Sequence, residues 1–304
     1  MSKSPDAEKE SAPPFRCGRI AVVGAPNVGK STLVNALIGA RISITSSKAQ
    51  TTRHRVTAIL TTKDAQYVFV DTPGFQTAHR SPLTERMNHA VRTSLADVDV
   101  IVMVFEARRI DDGDREVLAM LPKGVATIAA ANKVDRIRER RTVLPYIEKL
   151  TTLREFAAIV PISAEKRWQL DELLEEIRRR LPAGNPLYAA DEMTDRDERF
   201  LAAEYVREKI FRNLGAEIPY ATSVSVDSFE HKGELRRIHA TVWVDKASQR
   251  GILLGQNGER MKRIASTARR DMEQLFGGKV FLEVWIKVEP GWARDQRKLT
   301  RLGY

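Results

Sequence analysis

The sequence is poor in the features that mark secreted, membrane-spanning or fibrous proteins. Cys17 is the only cysteine among 304 residues, so no internal disulfide can form, which agrees with a reducing cytoplasm. No run approaches the roughly 18–20 uncharged apolar residues that a membrane span needs. Residues 1–16 lack an apolar core and mix both charge signs, so we predict a disordered tail rather than a secretory or transit signal. There is no internal repeat or low-complexity tract.

Basic residues outnumber acidic ones, and the excess is concentrated near the end of the chain. Lys and Arg total 50 against 40 Asp and Glu, a net charge of +10. Residues 231–304 hold 16 basic and 8 acidic side chains, a net of +8 that leaves only +2 for the first 230 residues. This asymmetry favours a polyanionic partner for the C-terminal region. The alternative is charge that only keeps the protein in solution.

Short apolar runs alternate with longer amphipathic stretches over residues 19–181. This order predicts an α/β domain, in which helices cover both faces of a mostly parallel six-stranded sheet. Only six residues separate the second run from the third, too few for a crossover helix, so these two are predicted to form an antiparallel hairpin. The predicted strands are Ile20–Val23, Val56–Leu60, Tyr67–Val70, Val100–Phe105, Ala126–Ala131 and Ile159–Ile162.

A stretch with Pro, Gly and Asn punctuation interrupts the pattern and predicts a domain boundary. We expect a first domain over residues 17–182, a linker over 183–195 and a smaller second domain over 196–304. Strands and helices mix in an α+β order in the second domain, and a short helix is predicted near Trp292–Leu299.

The segment from Gly24 to Ser31 matches GxxxxGK[ST] between an apolar run and a helical run, the context that a phosphate-binding loop requires. Gly24 and Gly29 let the backbone wrap a phosphate without a Cβ clash, so N–H groups and the helix N-terminus can point at it. Lys30 is predicted to lie between the β- and γ-phosphates, and the Ser31 hydroxyl to ligate Mg²⁺.

Two further motifs end later strands at the same predicted edge. In DTPG, Asp71 can hold Mg²⁺ through a water and Gly74 can present its N–H to the γ-phosphate. In NKVD, Asp135 can accept hydrogen bonds from the N1–H and 2-amino groups of guanine, which adenine lacks. Such pairing can discriminate by about 10⁴-fold. Alone, DTPG could be a simple turn and NKxD a chance match, but their order after the phosphate loop favours a nucleotide site.

In this order, GAPNVGKS, DTPG, NKVD and the late Ser163-Ala164 resemble the elements of a Ras-like GTPase, and Pro26-Asn27 with TTR at 51–53 resembles the bacterial Era, Der and MnmE branch. The resemblance implies GTP or GDP with Mg²⁺, and Thr52 as the switch I metal ligand, with Thr51 as a less favoured substitute. Its implied nucleotide-binding residues are Gly24, Ala25, Pro26, Asn27, Val28, Gly29, Lys30, Ser31, Thr32, Asp71, Thr72, Pro73, Gly74, Phe75, Asn132, Lys133, Val134, Asp135, Ser163 and Ala164.

The metal ligands would be Ser31, Thr52 and Asp71, and the catalytic group would be Asn27, Lys30, Thr52, Asp71 and Gly74. One departure concerns catalysis: Phe75 stands where Ras-type enzymes have the glutamine that orients water, so we expect a slow intrinsic rate. In relatives of this branch the residue matching Asn27 helps hold K⁺, and we expect the same unless Asn27 only braces the loop.

Gly255-Gln256-Asn257-Gly258 lies between two predicted helices, with basic residues close behind, and resembles the backbone-clamping loop of KH domains. The surrounding residues and the ending GW…LGY resemble the type II KH domain of Era, which argues against Der and MnmE. The usual GKGG is GQNG here, so one contact charge is lost. The predicted RNA-binding residues are Ile252, Gly255, Gln256, Asn257, Gly258, Arg260, Lys262 and Arg263, with Leu253 and Ile264 as further groove residues or core residues.

The sequence is therefore identified as that of an Era-family GTPase. The resemblance implies a partner in the 3′ end of 16S rRNA and a role in assembly of the small (30S) ribosomal subunit. We expect a cytoplasmic monomer. One alternative is an RNA-binding assembly factor with regulatory nucleotide binding and negligible turnover, which Phe75 favours. Another places the basic module on anionic lipid, peripherally on the cytoplasmic face of the inner membrane.

Overall fold

The computed structural model describes residues 14–46, 48, 51–75, 81–215 and 218–304. Residues 1–13 of the predicted tail lie outside this part of the chain. The N-terminal sheet has the order β2-β3-β1-β4-β5-β6. Its strands are β1 (Arg16–Val23), β2 (Val56–Thr61), β3 (Ala65–Asp71), β4 (Val100–Glu106), β5 (Ala126–Asn132) and β6 (Ala158–Pro161). Its helices are α1 (Lys30–Ile38), α2 (Pro82–Leu95), α3 (Asp112–Met120), α4 (Val143–Thr151) and α5 (Leu170–Arg178).

Alternating side chains of β1, which lies inside the sheet, show why helices cover both of its faces. Ile20 and Val22 pack toward α1 and α5, whereas Ala21 and Val23 pack toward α2, α3 and α4. Both sets are buried, so neither face could be left to solvent. β2 and β3 are antiparallel, and the other neighbouring strands are parallel. The predicted α/β fold and its hairpin are confirmed.

The C-terminal region forms a second, three-stranded sheet with helices on one face. Its elements are α6 (Glu198–Asn213), β7 (Thr222–Lys232), β8 (Leu235–Val244), α7 (Ala247–Leu254), α8 (Glu259–Phe276), β9 (Lys279–Val288) and α9 (Gln296–Arg301). β7 and β8 are antiparallel, and β8 and β9 are parallel. On α8, Met261, Ile264, Ala268 and Met272 recur at helical spacing and are buried, which leaves the basic residues between them on the outer side. The predicted α+β order of this region is confirmed.

The predicted linker follows the edge of the first sheet. The Gln66 side-chain oxygen accepts hydrogen bonds from the backbone N–H groups of Leu187 (2.7 Å) and Tyr188 (3.0 Å). Further along, the Thr194 hydroxyl donates to the Thr57 carbonyl at 2.6 Å. The segment pairs with the free edge of β2, where the Ile59 N–H donates to the Met193 carbonyl at 2.9 Å, and so protects that edge from other chains while it crosses to α6.

The chain ends in what we call the C-terminal segment, residues 292–304. The short helix predicted near Trp292–Leu299 is present as α9, but it begins only at Gln296, after a 3-10 turn, Trp292–Arg294, that ends before Asp295. The Asp295 carboxylate accepts the first N–H groups of α9 and so starts a new helix there. The segment packs against α2 through the apolar cluster Leu83, Met87, Trp292, Leu299 and Leu302. Within the described residues, no helix has the length and apolar character to cross a bilayer.

Candidate nucleotide site and nucleic-acid interface

The carboxyl ends of β1, β3, β5 and β6 meet at one edge of the first sheet, beside a cleft of about 850 Å³. Asp71 is the last residue of β3, so the DTPG segment, which begins with it, lies at this edge as well. Of the residues predicted from sequence, the cleft is lined by Pro26, Asn27, Gly29, Lys30, Ser31, Thr32, Thr52, Gly74, Asn132, Lys133, Asp135 and Ala164. The side chains of Asp71, Thr72, Phe75, Val134 and Ser163 are buried around it.

The loop between β1 and α1 has the shape that a phosphate-binding loop needs. Gly29 has a φ of 104°, and a Cβ there would lie 2.3 Å from the Asn132 amide nitrogen, so no larger residue can occupy this position. Lys30 is buried and folds back over the loop, where its ammonium donates to the carbonyls of Gly24 (3.0 Å) and Ala25 (2.9 Å). Burial lowers the pKa of Lys30 to about 8, partly offset by the carboxylate of Asp71. This loop concentrates positive charge where an anion can reach it.

Three oxygen-bearing side chains converge behind Lys30. The hydroxyls of Ser31 and Thr52 are 2.7 Å apart. Both carboxylate oxygens of Asp71 are completely buried with no hydrogen-bond partner among the described residues. Burial raises the pKa of Asp71. The Ser31 and Ser43 hydroxyls oppose this shift from positions close to the carboxylate but outside hydrogen-bond geometry. An unpaired buried carboxylate beside two hydroxyls is costly without a cation, and hard oxygen donors suit Mg²⁺, so these residues fit the predicted metal.

Contacts of the two threonines distinguish between the alternative metal ligands. The Thr51 hydroxyl donates to the Lys48 carbonyl at 2.6 Å and is therefore occupied within its own loop. Thr52 instead meets Ser31. The geometry therefore favours Thr52.

The base end of the cleft is held by loop-to-loop hydrogen bonds. The Asn132 amide donates to the Val28 carbonyl at 2.9 Å and accepts from the Ala164 N–H at 3.0 Å. The Lys133 ammonium donates to the Asn27 carbonyl at 2.7 Å, which ties the base loop to the phosphate loop. The Ser163 hydroxyl lies 2.5 Å from the Asp135 carboxylate and so orients it, whereas the rest of Asp135 is exposed. A planar carboxylate held in this way can pair with two adjacent donors of a base.

Gly74 and Phe75 are neighbours in sequence, but Gly74 lies against the phosphate loop whereas the Phe75 side chain lies in the core. A Cβ on Gly74 would lie 3.1 Å from Pro26 Cα, so the DTPG segment closely approaches the phosphate loop. The ring of Phe75 is buried in the core on the α2 and α3 side, and the guanidinium carbon of Arg92 lies 5.8 Å from its centroid. Only the backbone of Phe75 is therefore available to a nucleotide.

The GQNG loop has the backbone of a tight clamp. Gly255 and Gly258 have φ values of 71° and 77°, and Asn257 has a φ of 49°. Asparagine tolerates this left-handed conformation better than other residues with a side chain, which explains how it can replace the usual glycine. Gln256, Asn257, Lys262 and Arg263 are exposed. Arg260 is half-buried and donates to the Ile252 carbonyl, so its charge is partly engaged within the protein.

The predicted apolar groove is only partly supported. Ile252 is 45% exposed and can contact a ligand, but Leu253 and Ile264 are completely buried in the core between the helices and the second sheet. Of the two alternatives for Leu253 and Ile264, the core is confirmed and the groove is not, because a helical apolar stripe can face either and the packing here places both residues in the core.

The structure adds residues that the sequence motifs do not indicate. Phe211 and Arg212 of α6 line the nucleotide cleft, and Arg212 donates to the Thr45 hydroxyl at 2.7 Å. Arg53, directly after Thr52, is 3% exposed and reaches into the second domain. No spacing rule connects these positions. The only signal was the arginine of the TTR triplet itself, which has no evident partner in the sequence.

Comparisons with known proteins agree with both halves of this description. The family model described as 50S ribosome-binding GTPase matches residues 19–133, and the KH domain model matches residues 217–293. GTPase Era of Chromobacterium violaceum is 53% identical over 95% of this chain and 98% of that protein. GTPase Era of Neisseria meningitidis serogroup A is 52% identical over 98% of this chain and 97% of that protein.

Two solved structures are similar over nearly the whole chain. A variant of Aquifex aeolicus Era bound to GDP and tetrafluoroaluminate has a TM-score of 0.92 and 36% identity, covering 95% of this chain and 99% of that one. Era in complex with MgGDPNP and nucleotides 1506–1542 of 16S ribosomal RNA has a TM-score of 0.91 at the same identity and coverage. With its P-loop GTPase domain and C-terminal KH domain, the chain belongs to the GTPase Era family.

Proposed function

We propose that this GTPase is a guanine-nucleotide switch that binds the 3′ end of 16S rRNA through its KH domain and assists assembly of the small ribosomal subunit. The observation that carries the proposal is the buried, unpaired Asp71 carboxylate beside the Ser31–Thr52 contact, in a molecule that also bears the GQNG clamp. Relatives bound to GDP with tetrafluoroaluminate and to a 16S rRNA fragment support it. We assign residues 17–182 to the GTPase domain, 183–195 to the linker and 196–304 to the KH domain.

The proposed roles follow from the geometry of the cleft. Lys30 exchanges its loop carbonyls for β- and γ-phosphate oxygens, and the N–H groups of the loop donate to the same phosphates. Ser31, Thr52 and Asp71 would hold Mg²⁺, which would supply positive charge to neutralise the charge that develops on the phosphates. Gly74 donates its N–H to the γ-phosphate, and Asp135 accepts from guanine. Loss of the γ-phosphate releases Thr52 and the DTPG segment, as in other GTPase switches.

Asn27 is proposed to help hold K⁺ at the cleft. Its φ of 65° gives an alternative reason for asparagine, because this residue tolerates left-handed backbone. Asn27→Gly separates the two roles, since glycine keeps the backbone and removes the amide. We expect the wild type to hydrolyse GTP faster in KCl than in NaCl and the variant to lose that difference. A variant that keeps the full difference would limit Asn27 to bracing the loop.

RNA binding is tested with a short oligomer of the 16S rRNA 3′ end. We expect the oligomer to bind the wild type and to accelerate phosphate release from GTP. The RNA-binding residues that we assign are Ile252, Gly255, Gln256, Asn257, Gly258, Arg260, Lys262 and Arg263. Nucleotide binding with no phosphate release, with or without RNA, would instead indicate a regulatory nucleotide site with negligible turnover, the function that the buried Phe75 would suit.

We further propose that the protein is a cytoplasmic monomer that acts on the 30S subunit. An alternative partner for the basic KH domain is anionic lipid of the inner membrane. RNA and lipid are therefore compared in one competition experiment. Vesicles of phosphatidylglycerol and phosphatidylcholine are sedimented with the protein while the RNA oligomer is added. We expect RNA to keep the protein in the supernatant, whereas retention on vesicles at saturating RNA would support a separate peripheral membrane role.

A further inference from the structure

Arg53 lies in the loop that carries Thr51 and Thr52, which we call switch I, and its side chain extends into the KH domain and is enclosed there. Its guanidinium donates to the carbonyls of Thr222 (2.8 Å), Pro219 (2.9 Å) and Tyr220 (3.1 Å). It also donates to the Tyr304 hydroxyl at 3.1 Å. The residue that follows Thr52 is thus anchored entirely by groups of the other domain.

Three aromatic rings complete this enclosure, which we call the Arg53 cage. The guanidinium carbon lies 5.6 Å from the centroid of Phe211, 5.9 Å from that of Trp292 and 6.0 Å from that of Tyr304. Burial lowers the pKa of Arg53, an effect opposed by Tyr304. A desolvated cation gains most from directed carbonyls and ring faces, so the cage defines one position for Arg53.

Tyr304, the last residue of the sequence given, is itself fixed by both domains. Its hydroxyl contacts Ser223 at 3.2 Å, and its ring stacks on His54 of switch I with centroids 4.7 Å apart. Arg86 of α2 donates to the Tyr304 main-chain oxygen, and also to Thr300 at 3.0 Å. The C-terminal segment therefore touches the loop that carries Thr52 and the helix that follows DTPG.

We propose that Arg53 is a positioning residue through which the KH domain and Tyr304 hold Thr52 at the Mg²⁺ site. Thr52 is one peptide bond from a side chain that the KH domain anchors, and its hydroxyl is 2.7 Å from Ser31. Any movement of the Arg53 cage relative to the first sheet must therefore move Thr52 or break the guanidinium contacts. The inference rests on the proposed role of Thr52 in binding Mg²⁺ with GTP.

The cage predicts an effect on GTP that GDP does not share. A residue that holds a γ-phosphate-dependent metal ligand should change the affinity for GTP with Mg²⁺, and leave GDP affinity in EDTA nearly unchanged. Couplings between distant groups usually change affinity by about 5- to 150-fold. We expect Arg53→Lys, which keeps the charge but not the forked donors, to lower the GTP-to-GDP affinity ratio in Mg²⁺ by about 10-fold or more.

Tyr304→Phe keeps the stacked ring and removes only the hydroxyl, so it tests the cage with little risk to folding. We expect it to lower the same ratio by about fivefold. Arg301→Ala is the matched control, because its side chain contacts Trp243 and Glu289 within the KH domain. It should leave the ratio unchanged.

The experiment measures binding of fluorescent GTP and GDP analogues to the full chain, in Mg²⁺ and in EDTA, with thermal unfolding of each variant as a check on folding. A lowered ratio in Arg53→Lys and Tyr304→Phe, with Arg301→Ala unchanged, supports the inference. If Arg53→Lys does not fold, Tyr304→Phe decides alone. An unchanged ratio in folded variants overturns it, as does an equal loss of both nucleotides. Failure of the wild type to bind GTP would instead overturn the proposed function, and this inference with it.

Discussion

The nucleotide edge and the GQNG loop differ in how their residues are held. At the nucleotide edge, side chains bond to the backbone of neighbouring loops, as Asn132 does to the Val28 carbonyl and the Ala164 N–H. In the GQNG loop, Gln256 and Asn257 are exposed, and the fixed features are backbone angles. The first region is an interlocked arrangement in which each residue has a specific partner. The second region offers a backbone shape and solvated charges. Each of these charges should contribute to RNA affinity more independently than the residues of the nucleotide edge contribute to GTP affinity.

The largest expected effect is at the centre of the interlocked region. Lys30→Ala removes a buried cation placed for the phosphates, and we expect GTP affinity to fall by at least about 100-fold. Nucleotide titration measures this, with Lys63→Ala, an exposed lysine of the β2–β3 hairpin, as the control. Equal affinities for Lys30→Ala and the parent protein would show that the loop does not grip phosphate.

Protonation of His54 tests the contact between the loop that carries Thr52 and the C-terminal segment, next to the interlocked region. Burial of His54, whose ring packs against Phe200 and Tyr304, lowers its pKa from 6.5 to about 4. Glu204 opposes this shift, and the nearby arginines reinforce it. The folded state thus favours the neutral ring, so stability is full above pH 6.5 and falls as the pH drops toward 4. We expect a loss of about 3 kcal/mol over this window relative to His54→Gln. Denaturant unfolding at several pH values measures it, and parallel curves for the two proteins would contradict it.

The two threonines of switch I allow a residue with a proposed metal-binding role to be compared with its neighbour in the same loop. Thr52→Ala should lower GTP affinity in Mg²⁺ by about 10-fold, because it removes the hydroxyl oxygen that is proposed to ligate the metal ion. Thr51→Ala is the matched control and should change it by less than about twofold, since its hydroxyl contacts the Lys48 carbonyl. Mg²⁺ titration at fixed GTP measures both, and a larger effect at Thr51 would reverse the assignment.

The smallest effects are expected in the GQNG loop. Lys262→Ala should weaken RNA binding by about threefold and flatten the slope of log affinity against log salt by about 0.7. Gln256→Lys, which restores the usual lysine, should do the opposite. Fluorescence anisotropy over a salt series measures both, with Lys123→Ala of the first domain as control. A loss as large as that of Lys30→Ala for GTP would mean that this region is also interlocked.

Sequence reasoning succeeded where a function is encoded in contiguous residues. The phosphate loop from Gly24 to Ser31 is local, because its glycines, its lysine and the following helix need each other within one turn. The Arg53 cage could not be predicted, since its partners at residues 219–222 and 304 share no type or spacing and most contribute only carbonyls. Leu253 shows a third case, in which a helical apolar stripe predicts burial but does not say against what.

The central claim, that one carboxylate selects guanine for a switch built on this edge, is tested most directly at Asp135. GTP, ATP and xanthosine triphosphate are titrated against the wild type and Asp135→Asn. We predict that the wild type prefers GTP over ATP by at least about 100-fold, and that the variant loses GTP and gains xanthosine triphosphate, whose 2-oxo group suits an amide donor. An unchanged preference for GTP in Asp135→Asn would contradict the account.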